Sequence, residues 1–187
     1  MSFTTLEKTL ESLISDLLDK KRWSGLDKPP VESVLEHIYK TAMLVQLMLA
    51  VEDRAGNPHG LDYFRLLQCA INHDMAEAEV GDVPYPDKTE ESEEAEMFAF
   101  SLIRNELFGK HEDFVLMPID HGNMNLIHKQ FWHCVEHLGY ALYADRRLQE
   151  GRGDFFLVVE KSVIELLRYR GMFVSVKEAL RQLEGVL

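Results

Sequence analysis

Apolar side chains recur at intervals of three and four residues along most of the chain, the period of helices that bury one face. Behind Thr4-Thr5-Leu6-Glu7, which fits a capping box, Leu6, Leu10, Leu13, Ile14, Leu17 and Leu18 keep this spacing and predict a helix over 4–19. Lys20-Lys21-Arg22-Trp23 follows, and Gly25 with Pro29-Pro30 marks a loop, because proline lacks the helical donor and biases its predecessor out of the helical region. Ser33 with Glu36 opens a second helix to about Asp53, with a buried stripe of Val34, Ile38, Ala42, Val45 and Leu49. His37 falls beside that stripe in the first turn. After the break at Ala55-Gly56-Asn57-Pro58-His59-Gly60, Leu61 to about Ala78 reads as a third helix, carrying His73-Asp74 near its C-terminal end.

Gly81 to Asp87, with one glycine and two prolines, is a loop. Lys88 to Phe108 predicts a helix whose acidic first turn, Glu90, Glu91, Glu93 and Glu94, suits the positive end of the macrodipole and a solvated face. Residues 109–122 are irregular. Asn123 to Glu150 predicts one long helix or two abutting ones, closed by Gly151-Arg152-Gly153; Asp154 to Arg170 predicts another, and Ser175 with Glu178 caps a short last one. Phe98 and Phe131 are expected in the core. Neither a strand pattern nor an internal repeat is present, so the expected class is all-α, one compact helical bundle over 1–187, with helix 4–19 and the C-terminal helices packed on a 33–150 core.

Composition narrows the function. At 187 residues and 46% apolar, the chain suffices for one domain with a substantial core. Its formal net charge of -12 would repel a nucleic-acid polymer over most of the surface, while leaving room for a small phosphorylated ligand held by local cations. The two cysteines, Cys69 and Cys134, lie in apolar helical contexts, and the N-terminus has neither the basic start nor the apolar centre of a signal peptide; both point to a reducing, cytoplasmic setting. The most apolar run, Ala42 to Val51, is broken by Gln46 and is shorter than the roughly 20 residues of a membrane span, so no membrane association is expected.

His73-Asp74 is the chemical focus. A neutral imidazole and a carboxylate at consecutive positions offer nitrogen and oxygen to one borderline-hard divalent ion. His37, inside an apolar helical run, is the best candidate for a further ligand. Glu77 and Asp82, just beyond the pair, are acids placed to handle a proton or a water.

Arg22-Trp23, Glu36-His37, His73 to Asp82 and Pro86-Asp87-Lys88, in this order and spacing, resemble the HD-domain metal-dependent phosphohydrolases, and among them the bacterial 5'-deoxyribonucleotidases. The resemblance runs from Arg22 to about Phe156. It implies an HD-domain bundle in which His37, His73 and Asp74 hold one divalent ion (Co, Mn, Zn, Ni or Mg), with a fourth carboxylate from a late helix. Alignment back from Gly151–Phe155 puts Glu136 where the family has aspartate; Asp145, in Tyr143-Ala144-Asp145-Arg146-Arg147, is the alternative. Nine residues apart, the two cannot aim at one ion from a single helix. The resemblance further implies catalytic roles for Glu77 and Asp82, positioning or deprotonating water or protonating the leaving 5'-oxygen. Arg22 would grip phosphate through its planar fork, Trp23 would offer a flat surface to sugar or base, and Lys88 would be a second phosphate contact.

The expected reaction is hydrolysis of a deoxynucleoside 5'-monophosphate. The alternatives are removal of triphosphate from a deoxynucleoside triphosphate, or a catalytically silent nucleotide-binding protein on the same fold. A small nucleotide is the expected partner, with a homodimer or larger homo-oligomer implied by the resemblance. One competing pattern exists: His133-Cys134-Val135-Glu136-His137 fits H-x-x-E-H, in which two histidines one turn apart bind zinc, but proteases carrying it have much larger chains and a later acidic ligand. His59, His111, His121 and His128 are expected at the surface or in loops.

Overall fold

A computed structural model describes residues 3–23, 32–83, 88–108 and 124–183, excluding the side chains of 3–8 and 108. Among the described residues its helices are α1 (Phe3–Asp19), α2 (Val34–Arg54), α3 (Tyr63–Asn72), α4 (Glu77–Val80), α5 (Glu90–Phe108), α6 (Leu126–Gln149), α7 (Phe156–Tyr169) and α8 (Val174–Leu183), with a 3-10 turn at Gly153–Phe155. The fold is all-α, as the periodicity required. The described residues hold no strand, only an isolated antiparallel bridge between Lys21 and Ser33. The Thr4–Glu7 capping box lies outside the described side chains, as do the Gly25–Pro30 and Pro84–Asp87 loop residues and the stretch 109–122 expected to be irregular.

Two compact units make up the chain, residues 1–39 with 68–119, and 40–67 with 120–187. In the first, Leu13 and Leu17 of α1, Val34 and Ile38 of α2, Met75, Ala76 and Ala78 around α4, and Ala99, Phe100, Ile103 and Leu107 of α5 form one buried cluster. The α1 seam is narrower than its leucine spacing suggests. Leu13 and Leu17 are buried, whereas Leu10, Ile14 and Leu18 on the flanks are exposed. A helix that meets its neighbours along one i, i+4 row leaves adjacent rows in water. Phe98 is likewise exposed, one position before the buried Ala99-Phe100 pair, contrary to its expected core role.

The α2 start is as predicted. Glu36 accepts from the Ser33 N–H (2.8 Å) and Ser33 Oγ accepts from the Glu36 N–H (3.2 Å), a complete capping box. Along α2, Val34, Ile38, Thr41, Val45, Met48, Leu49 and Glu52 are buried at helical spacing, with Ala42 only half-buried. The expectation of a short apolar run needs correction: all 21 residues of α2 together are long and apolar enough, by length and composition alone, to cross a membrane. Core helices share that property, and the single-sided burial of α2 fits such a role.

In the second unit α6 is one unbroken helix, and α7 packs along it. Phe131, Trp132, Cys134, Val135, Leu138, Ala141 and Ala144 of α6 are buried. Phe131 meets Phe173 edge to face, with centroids 5.2 Å apart. Asn125 caps α6 by accepting the His128 N–H. His128 is buried rather than exposed. Its Nε2 accepts the Asp62 N–H (2.8 Å) and its Nδ1–H faces Asn125, so a position that looked like a loop histidine joins two chain segments. Ser175 is also not the expected cap paired with Glu178: it lies one residue inside α8, and its N–H and Oγ–H both donate to Oε1 of the fully buried Glu52 (2.7 and 2.6 Å). Both cysteines are buried.

Candidate metal centre

The α2 capping box fixes the first turn of that helix, and with it His37, whose N–H bonds the Ser33 carbonyl at 3.1 Å. The other two donors stand where α3 stops. The predicted helix to Ala78 is broken: α3 ends at Asn72, residues 73–76 form turns, and Glu77 begins the one-turn α4. His73 N–H still reaches the Cys69 carbonyl (2.9 Å), but Met75, Glu77 and Ala78 bond three residues back, to Asn72, Asp74 and Met75. This tightening turns His73 and Asp74 out of regular register while burying Met75, Ala76 and Glu77.

The result is a three-donor cluster. One ligand atom from each of His37, His73 and Asp74 lies within 4.8 Å of the others. Asp74 Oδ2 is 3.1 Å from His73 Nε2 and 3.5 Å from His37 Nε2, and the two rings meet at 62° with centroids 5.2 Å apart. His73 Nδ1 is 2.9 Å from the Ala70 carbonyl. A carbonyl only accepts, so Nδ1 donates to it, and Nε2 is the nitrogen turned toward Asp74 and His37, the one a metal would take in place of a proton. That orientation by a backbone acceptor is the usual support of a metal-ligating imidazole.

Arg22, Trp23 and Asp82 form the next layer. The backbone pairing of Arg22 N–H with the Glu32 carbonyl (2.9 Å) holds the segment after α1 against the start of α2. Arg22 Nε lies 3.6 Å from Asp82 Oδ1, and Asp82 Oδ2 accepts the Trp23 N–H at 2.8 Å. Trp23 has φ of 59°, a left-handed conformation that is costly for a bulky residue and is held here by that bond. Gly81, with φ of 81°, ends α4 without such strain and delivers Asp82. Lys88 pairs with Glu96 of α5 at 2.8 Å. Sequence reasoning missed Glu96, since one more glutamate in an acidic helix gives no sign that it faces inward.

Electrostatics separate the three acids. Burial alone would raise Asp74, but the imidazoles of His73 and His37, with Arg22, overrule it and hold the carboxyl well below the usual range. Glu77 goes the other way: burial first, then Asp74 and Asp82, push it up to about 9. One of its oxygens, Oε2, is buried without a hydrogen-bond partner among the described residues. Asp82 is also raised, by burial and Asp74, against the opposing pull of Arg22, the Trp23 N–H and Lys88. Burial would lower Lys88, but Glu96, Asp74 and Glu77 raise it.

A divalent cation fits these residues. Two imidazole nitrogens and a carboxylate oxygen converge, one tautomer is set by the backbone, and an acid beside them is left with an orphaned oxygen and excess negative surroundings. The late-helix acids, Glu136 and Asp145, both belong to the second unit, on α6. Because α6 is uninterrupted, nine residues place them on opposite sides of it. Asp145 accepts from Gln149 Nε2 at 2.8 Å.

An all-helical chain presenting a His, His-Asp donor set is the class defined so far. Residues 14–114, just over half of the chain, match the HD domain family, and the chain belongs to that family. A search of curated proteins finds no match. Among solved structures, an HD-domain phosphohydrolase from Listeria innocua is similar at 22% identity with a TM-score of 0.70, covering 97% of this chain and 88% of that one. The two share the HD-domain phosphohydrolase fold.

Proposed function

We propose that this protein is a metal-dependent phosphohydrolase whose substrate is a deoxynucleoside 5'-monophosphate. The observation that carries the proposal is the convergence of His37, His73 and Asp74 within 4.8 Å. A divalent ion on those donors would supply Lewis-acid polarisation of a phosphate oxygen and acidification of water. The sequence resemblance supplies Glu136 as a fourth ligand and Asp145 as its alternative. Metal affinities of Glu136→Gln and Asp145→Asn separate the two.

The remaining roles follow from the chain's own groups. Arg22, tethered beside Asp82, presents a cation for phosphate, and Lys88 adds a second if Glu96 shares it. Trp23 is held in its strained turn next to Arg22, where its ring can bound the sugar or base. Asp82 is tied to Arg22 and the Trp23 N–H, so it orients rather than shuttles. Glu77 holds a proton near neutrality while no cation is bound and has an oxygen without a hydrogen-bond partner among the described residues; a divalent ion beside it would favour its ionised form, so it is the group to take the proton of the attacking water.

A nucleotide panel with Co2+, Mn2+, Zn2+ and Mg2+ tests the assignment. Orthophosphate and nucleoside from deoxynucleoside monophosphates is the expected outcome. Tripolyphosphate from triphosphates would move the substrate to the alternative, and no turnover with any metal would refute the enzymatic reading.

A further inference from the structure

A second donor cluster lies wholly within the second unit and shares no residue with the centre above. His133 and His137, four residues apart, leave the same face of α6, their rings 4.3 Å apart between centroids. From α7, Glu165 Oε2 comes within 3.4 Å of His133 Nε2. One ligand atom from each of the three lies within 4.8 Å of the others. His137 Nδ1 is buried and has no hydrogen-bond partner among the described residues. His133 and Glu165 remain partly open to solvent, which gives an ion a way in.

We propose that His133, His137 and Glu165 form a second cation site, taking a borderline transition ion such as Zn2+ and clipping α6 to α7. Two imidazoles with one carboxylate are a nitrogen-rich set that suits Zn2+ and its first-row neighbours and disfavours Mg2+ or Ca2+, which take oxygen. An i, i+4 histidine pair on one helix already aligns two nitrogens, and Glu165 adds a third donor from a neighbouring helix. Glu165 is thus the later acid that the H-x-x-E-H pattern had lacked. The competing use of the same oxygen is the ion pair with Arg168 (2.8 Å), whose side chain is mostly in water. Exposed pairs of that kind are weak, so coordination displaces it at little cost.

The test counts zinc. Full-length protein, His133→Gln and Glu165→Gln are equilibrated with buffered free Zn2+, and bound metal is measured by mass spectrometry beside circular dichroism at 222 nm. The parent is expected to hold one more equivalent than His133→Gln, and Glu165→Gln to weaken that equivalent at least about 10-fold. Zinc should also raise the thermal midpoint of the parent more than that of either variant, since the site spans two helices. Equal zinc in parent and His133→Gln overturns the proposal. So does loss in His133→Gln with full retention in Glu165→Gln, because the ion would then sit on α6 alone. Should His133→Gln fail to fold, the affinity of Glu165→Gln decides the matter by itself.

Discussion

Replacing Glu77 by Gln should flatten the pH dependence of stability in metal-free protein. In the folded chain Glu77 is displaced from 4.5 to about 9, by burial first and then by Asp74 and Asp82. The unfolded chain releases this proton above about pH 4.5 while the folded chain keeps it, so stability falls as pH rises from 4.5 toward 9 and levels off beyond. At about 1.4 kcal/mol per pH unit, the part of that interval below pH 7 corresponds to a penalty of about 3 kcal/mol. A glutamine there has no proton to lose. Its buried amide carries its own cost, but that cost does not vary with pH, so the quantity to read is a slope. Between pH 5 and pH 8 the stability of Glu77→Gln relative to the parent should rise by about 4 kcal/mol. Urea unfolding of chelator-treated proteins across that range measures it, with the midpoint and m-value fitted at each pH. Parallel curves, differing by a constant to within about 1 kcal/mol, would refute the claim that Glu77 is held protonated.

Three further outcomes are expected. Adding a divalent cation to the parent at pH 7 should expel close to one proton per ion bound, because the new positive charge favours ionised Glu77; calorimetry in buffers of different ionisation enthalpy reads it, and Glu77→Gln should release less. Arg22→Met strands Asp82 in a buried setting and should cost about 3–5 kcal/mol, part of which Arg22→Met with Asp82→Asn recovers; a loss under about 1 kcal/mol would show that the 3.6 Å pair contributes little. Glu52→Ala removes the acceptor of two Ser175 donors at the start of α8 and should destabilise by about 3–5 kcal/mol in urea unfolding, with Ser175→Ala costing less.

What the sequence made legible was local. The Ser33–Glu36 cap and the order of His37 and His73-Asp74 could be read because a cap spans three residues and a motif carries its own spacing. The break at Asn72 could not, since Ala70, Met75 and Ala76 suit a helix and only packing around α4 selects the tight turn. Glu52 and Ser175 meet across 123 positions of sequence, so the nearby Glu178 looked like the natural partner. His128 and Phe98 exchanged their expected environments for the same reason: helical spacing gives a face, but neighbours decide which face is covered. Trp23 is the strained position, and no pattern around it announced a left-handed backbone.

The central claim is that His37, His73 and Asp74 grip one cation, and metal content tests it most directly. Measured in the His133→Gln background, so that the α6–α7 cluster does not contribute, Asp74→Ala should lose one equivalent of bound Co2+ or Mn2+ and all phosphohydrolase activity while its helical circular dichroism is unchanged. Full metal content and unchanged turnover in a folded Asp74→Ala protein would contradict the account.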